Sequence, residues 1–181
     1  MSLSDETNLT GRTANLKNDA DQVISDTRIL PLMEALGKVF FVGSYSLNLL
    51  YRPDIDLYIQ SEDCSRNQAV ELTKSLLDSN EFQTIGFADC TTHKRDDYAV
   101  LGFYWELIYF SPKYKWKFDI WYTSEKDIDA ITTTNKIAEK LKINPEARQQ
   151  ILQLKEKYYD GVKYRDGLNG RKIYEQVLGP L

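Results

Sequence analysis

In the stretch FFVGSYSLNLLYRPDIDLYI, the pair Gly43-Ser44 is followed, with nine residues between Ser44 and Asp54, by Asp54-Ile55-Asp56. Residues two apart on a strand project to the same face, so Asp54 and Asp56 point one way and Ile55, Leu57 and Ile59 the other. Two adjacent carboxylates repel each other unless a cation sits between them. Hard oxygen donors suit Mg²⁺, which is commonly held by one or two carboxylates together with substrate phosphates. Gly43 has no side chain to keep a ligand from the backbone. Ser44 offers a hydroxyl and reads as the N-cap of a short helix over 45–50, whose N-terminus favours anions. A phosphate cradle next to a divalent-cation site is the equipment of phosphoryl or nucleotidyl transfer, where catalysis is mainly positioning and charge neutralisation.

A third carboxylate follows from the same parity. In Lys115-Trp116-Lys117-Phe118-Asp119-Ile120-Trp121-Tyr122, the side chains of Trp116, Phe118, Ile120 and Tyr122 form an apolar face. Asp119 lies on the opposite one with Lys115, Lys117 and Trp121. If this strand neighbours the first, Asp54, Asp56 and Asp119 converge. Lys117 shares their face and could neutralise a triphosphate or an acceptor; a solvated strand end is the plainer reading of Lys113, Lys115 and Lys117. Glu106 shares a face with Tyr104. It is read either as an acceptor contact or as the cross-strand partner of Lys115 or Lys117.

The elements that must position these residues are legible from periodicity. A helix runs over 19–36, disturbed by Pro31, with Gly37 at its C-terminal end. Val39 to Val42 is a short buried strand and 54–60 a second one. Residues 67–77 form an amphipathic helix. Strands follow at about 82–92, 99–110 and 114–122, with a loop at 93–98 that carries His93, the single histidine. Helices occupy about 125–141, 145–160 and 170–178. In this tail, lysines and arginines mix with acids, which reads as a solvated face, with one basic side chain, not identifiable from the sequence, as a candidate to close over a triphosphate; Tyr158, Tyr159, Tyr164 and Tyr174 are read either as packing residues or as stacking partners of a base or sugar. Residues 1–18 are polar without period and are expected to fray.

Composition excludes other classes. The chain has 181 residues, 42% hydrophobic and 28% charged, enough for one domain with a full core. Cys64 and Cys90 are too few for a disulfide scaffold, and a cytoplasmic location is the expectation. No apolar run approaches the ~18 residues of a membrane span, and the first residues lack an apolar signal core. The net charge of -4 argues against a general polyanion-binding surface. One histidine and no nucleophile motif leave no Ser-His-Asp triad, and there is no Walker loop and no GxGxxG.

The Gly-Ser, spacer, Asp-Ile-Asp and later apolar-Asp-apolar strand resemble the nucleotidyltransferase superfamily of DNA polymerase β-like fold over about 37–122, and resemble its small bacterial members and antibiotic nucleotidyltransferases more than its polymerases. The resemblance implies an α/β (α+β) fold with a mixed sheet flanked by helices. The core would be 19–124, preceded by a flexible 1–18 and followed by a helical extension, 125–181. It implies transfer of a nucleoside monophosphate from a nucleoside triphosphate (NTP) to a hydroxyl acceptor, with pyrophosphate released. Gly43 and Ser44, with Lys117, would hold the nucleotide. Asp54, Asp56 and Asp119 would hold Mg²⁺ or Mn²⁺ and form the catalytic set, Asp119 acting as general base. Many small members carry a second glycine after the Gly-Ser, where this chain has Asn48, Leu49 and Leu50. The alternative is therefore a nucleotide-binding or regulatory module without catalysis; a third reading makes the acids surface residues only. A small-molecule acceptor is favoured, nucleic acid is expected to be unlikely, and no membrane is involved.

Overall fold

A computed structural model describes residues 3–95, 100–161 and 163–181, with side chains from Leu9 onward. Five strands form one mixed sheet: β1 (Lys38–Val42), β2 (Asp54–Gln60), β3 (Thr84–Cys90), β4 (Gly102–Phe110) and β5 (Lys115–Thr123), in the order β1-β2-β5-β4-β3. β2 and β5 run parallel at its centre, and every other pairing is antiparallel. Helices α1 (Leu3–Asp26), α2 (Ile29–Glu34) and α4 (Arg66–Ser79) pack on one face; α3 (Gly43–Ser46) is a single turn after β1. Helices α5 (Asp129–Ile143), α6 (Ala147–Tyr158) and α7 (Gly170–Leu178) close the chain. The expected mixed sheet with flanking helices is the fold observed.

Strand parity sorts the two faces. Ile55, Leu57, Ile59, Trp105, Leu107, Trp116, Phe118, Ile120 and Tyr122 join Leu16, Ala20, Val23, Met33, Leu72 and Leu76 in the main core. Burying such side chains contributes about 1.5–3 kcal/mol each, which pins the register. A slip of one residue would turn the acids into this core. On the other face, Val42, Tyr58, Tyr104 and Trp121 pack under Ile128 at the start of α5. The tail builds its own small core, in which Ile137, Leu141, Ile151, Leu152 and Ile173 enclose Leu47 and Leu49. Those two leucines fasten the turn after α3 to the tail.

Several local expectations are corrected. Helix α1 begins at Leu3 rather than beyond residue 18, and Leu9, Thr13 and Leu16 are buried along it. Chain reversal falls at Arg28, in left-handed conformation, and Pro31 lies inside the short α2. Gly37 is not a helix cap: a Cβ there would stand 2.3 Å from the Gln60 carbonyl oxygen, so it is required for the close approach of β1 to β2. The helix read over 45–50 ends at Ser46, because Asn48 turns left-handed at φ 53° and sends Leu49 and Leu50 inward. Of the 93–98 loop, residues 96–98 lie outside the described residues. Among the described residues, no helix is long and apolar enough to cross a membrane.

Candidate active site

The parallel pairing of β2 and β5 sets Asp56 opposite Asp119 and Asp54 opposite Lys117. All four side chains rise from the face away from the main core. Oxygen atoms of Asp54, Asp56 and Asp119, one from each, lie within 4.8 Å of one another. Beside them is a cavity of about 310 Å³, lined by Gly43, Ser44, Arg52, Asp54, Asp56, Asp119 and Trp121 and walled by Thr134, Tyr164 and Tyr174 of the tail.

Each acid has a distinct environment. Asp54 is buried; its Oδ2 accepts from Arg52 Nη2 at 2.5 Å, while its Oδ1 has no hydrogen-bond partner. Asp119 is held at both oxygens, Oδ1 by the Tyr104 hydroxyl and Oδ2 by Lys117 Nζ at 2.5 Å. Among the described residues, Asp56 has no hydrogen bond or ion pair of this kind. Loss of solvent, followed by the charges of Asp54 and then Asp119, pushes its carboxyl up to about 8, against the opposing pull of Lys117 and Arg52. Burial works against the charge of Lys117, but Asp54 and Asp119 outweigh it and its pKa is raised. Tyr104 is likewise held protonated, by burial first and then by its bond to Asp119.

The residues fit a divalent cation. The donor set is all carboxylate oxygen, one buried oxygen is orphaned among the described residues, and like charges are stacked at a distance that a divalent cation relieves. Gly43 belongs to the same construction. It adopts φ +62°, and a Cβ on it would meet Asp56 Oδ2 at 3.1 Å. Its N–H donates to Thr134 Oγ1 of α5 at 3.1 Å.

Ser44 is not the N-cap; Val42 precedes the turn and its side chain caps nothing. The Ser44 hydroxyl instead meets the tail. It accepts from Lys155 Nζ at 2.9 Å and lies 3.0 Å from the Tyr174 hydroxyl. Lys155 also donates to the Leu49 carbonyl at 2.7 Å and to Tyr174 at 3.0 Å, and it is 1% exposed. Burial, and next the Arg52 charge, lower its pKa to about 7, although Asp56 and Asp54 oppose this. The solvated-face reading of the tail fails at this residue. Its signal was present in α6, where Lys155 continues the buried line of Ile151 and Leu152, four and three residues before it.

Lys117 lies among the acids rather than at a solvated strand end: its Nζ is also 3.5 Å from Asp54 Oδ1. Lys117, one of the two cross-strand partners suggested for Glu106, is thereby taken. Glu106 lies opposite Asp119 and Gly86, on the site face; among the described residues its side chain makes no hydrogen bond or ion pair, although its charge acts on Arg95.

No protein-family model matches the chain, and no curated protein does. Solved structures do. The polymerase core of TRAMP, an RNA surveillance complex, aligns with TM-score 0.55 at 20% identity, covering 85% of this chain and 46% of that one. The Cid1 poly(U) polymerase aligns at 0.54 and 12%, covering 98% and 54%. A cytoplasmic RNA terminal U-transferase aligns at 0.52 and 14%, covering 94% and 52%. The chain thus spans about half the length of these proteins. Two of them are named for RNA, so the expectation against nucleic acid, which rested on net charge, finds no support in the comparisons. By its sheet order, its flanking helices and these likenesses, the chain has the DNA polymerase β-like nucleotidyltransferase fold.

Proposed function

We propose that the protein is a divalent-metal-dependent nucleotidyltransferase that moves a nucleoside monophosphate from an NTP to a hydroxyl acceptor. The observation that carries this reading is the convergence of Asp54, Asp56 and Asp119 within 4.8 Å beside the Gly43-Ser44 turn, all facing one cavity. Asp54, Asp56 and Asp119 would hold Mg²⁺ or Mn²⁺. When bound, the ion supplies charge neutralisation at the reacting phosphoryl group.

The chain's own residues divide the remaining work. Ser44 presents its hydroxyl to the phosphate tail, in the cradle that Gly43 leaves open, and the buried Lys155 holds that hydroxyl from behind. Asp119 takes the proton of the acceptor hydroxyl as its oxygen bonds to the α-phosphorus. The bond to the β-phosphate oxygen breaks, and pyrophosphate leaves. Tyr104 orients Asp119 by holding Oδ1, so that Oδ2, bonded to Lys117, is the oxygen for metal or proton once that ammonium moves aside. Thr134, Tyr164 and Tyr174 limit the water around the nucleotide.

A thermal-shift screen of triphosphates with Mg²⁺ or Mn²⁺, followed by pyrophosphate release, tests the reading. The acceptor panel contains small hydroxylated molecules, which the sequence reading favours, and RNA ends. Metal-dependent stabilisation without pyrophosphate release from any acceptor would point instead to a nucleotide-binding module. Absence of stabilisation by every metal–triphosphate pair would remove both.

A further inference from the structure

We propose that Lys117 is the resident counter-ion of the acid cluster: it competes with the divalent cation for Asp54 and Asp119 and is released when that cation binds. The inference rests on the reading of the three acids as a metal site.

The placement is dictated by the sheet. Lys117 stands two residues before Asp119 on β5 and directly opposite Asp54 on the parallel neighbour β2, so one ammonium reaches both outer acids. Its Nζ lies 2.5 Å from Asp119 Oδ2 and 3.5 Å from Asp54 Oδ1. That same Oδ1 is the buried oxygen without a hydrogen-bond partner. Lys117 is therefore close enough to neutralise Asp54 but does not satisfy it, while it does satisfy Asp119. A divalent cation held by these acids needs the same two oxygens. The second holder of each acid, Arg52 on Asp54 Oδ2 and Tyr104 on Asp119 Oδ1, occupies the other oxygen and does not compete.

Electrostatics set the direction. In the metal-free cluster Arg52 and Lys117 oppose the charge of Asp56, while Arg95 acts on Asp119 and the buried Lys155 on Asp56 and Asp54; of these, only Lys117 lies within 4 Å of two of the acids. Removing the ammonium leaves the acids less compensated, so the empty site becomes less stable and the gain from a metal ion larger. Once released, the ammonium is available to the phosphates beside it, which would couple metal entry to nucleotide binding. A lysine that only packed the strand would change folding stability and leave metal affinity where it was.

Mn²⁺ alone is the probe, with free Mn²⁺ read by electron paramagnetic resonance. Lys117→Met is expected to bind Mn²⁺ at least tenfold more tightly than the parent and to melt at a lower temperature without metal. Lys117→Arg, which keeps the charge, is expected to stay near the parent. Equal Mn²⁺ affinity in a folded Lys117→Met protein overturns the proposal. A second measurement needs no variant: acylation of Lys117 by an amine-reactive reagent, followed by peptide mass spectrometry, should quicken when Mn²⁺ is added to the unmodified protein. Unchanged or slower labelling in a protein that does bind Mn²⁺ overturns the proposal. Failure of the parent and of Lys117→Met alike to bind Mn²⁺ removes the metal-site reading beneath it.

Discussion

The ammonium of Lys155 lies 2.9 Å from the hydroxyl oxygen of Ser44, across 111 positions of the chain. The bond joins α6 to the turn that follows β1. It makes the tail part of the site wall, since Lys155 reaches the Leu49 carbonyl and Tyr174 from the same position. A buried cation held by neutral oxygens, with no carboxylate bonded to it, is an unusual arrangement, because burial penalises its charge. An incoming polyphosphate would add a nearer anion to the opposing charges of Asp56 and Asp54.

Ser44→Ala follows directly. The variant should bind NTP more weakly than the parent by roughly tenfold, since a hydrogen bond to a charged oxygen contributes about 1.5–3 kcal/mol. Monophosphate binding should change less, because Ser44 lines the cavity where the phosphate tail would lie. As Ser44 is not a helix cap, no cap energy is lost with it. Titration calorimetry with the two nucleotides reads the difference; equal weakening would take Ser44 out of the phosphate cradle.

How far this site was legible depends on range. Asp54, Asp56 and Asp119 could be placed on one face because strand parity is a local rule, and the buried partners Ile55, Phe118 and Ile120 enforce it. That β2 and β5 are neighbours, so that the acids meet, is a long-range fact for which parity gives only a condition. That a basic residue of the tail reaches the site is legible, but not that it is Lys155, because composition averages over a helix and one lysine looks like its exposed neighbours until the partner surface is known. Helix α1 escaped for a related reason. Its apolar positions are sparse, and its mean hydropathy is negative, so Leu9 and Leu16 gain their meaning only against the rest of the fold. Ser44 was misread because cap preference was applied to a turn that in fact starts at Gly43.

Asp56→Asn should raise the stability of the metal-free protein while abolishing Mn²⁺ binding. The sign is set by the raised carboxyl. From about pH 4 to about pH 8, the folded protein holds a proton on Asp56 that the unfolded chain has released, so stability from this group falls as pH rises through that window. The variant lacks that fall. Its advantage in melting temperature over the parent should therefore widen from pH 5 to pH 8 in chelator. An advantage independent of pH would mean that Asp56 is not the strained acid.

Lys155 titrates in the opposite sense. Its folded pKa, lowered to about 7, lies below the ordinary 10.5, so the unfolded chain holds the extra proton between those values and stability from this group rises with pH there. Metal-free parent protein should gain stability from pH 7 to pH 10 relative to Lys155→Met. Bound triphosphate should flatten that gain by supplying a counter-charge. Melting curves at several pH values, with and without NTP and in the absence of metal, check both statements.

Gly43 carries two separable demands, and two substitutions divide them. Its φ of +62° is a left-handed conformation that costs an ordinary L-residue about 1–2 kcal/mol. Independently, any Cβ at that position meets Asp56 Oδ2 at 3.1 Å, tighter than ordinary van der Waals contact. Gly43→Ala incurs both and should lose stability and Mn²⁺ affinity together. Asparagine tolerates the left-handed region through local hydrogen bonding, yet it brings the same Cβ. Gly43→Asn should therefore recover much of the lost stability but none of the lost Mn²⁺ affinity, because Asp56 is still pushed from its place. Chemical denaturation in chelator reads the first quantity and Mn²⁺ titration the second. If Asn restored both, the glycine would serve the turn alone, and the close approach of its backbone to Asp56 would have no part in shaping the site.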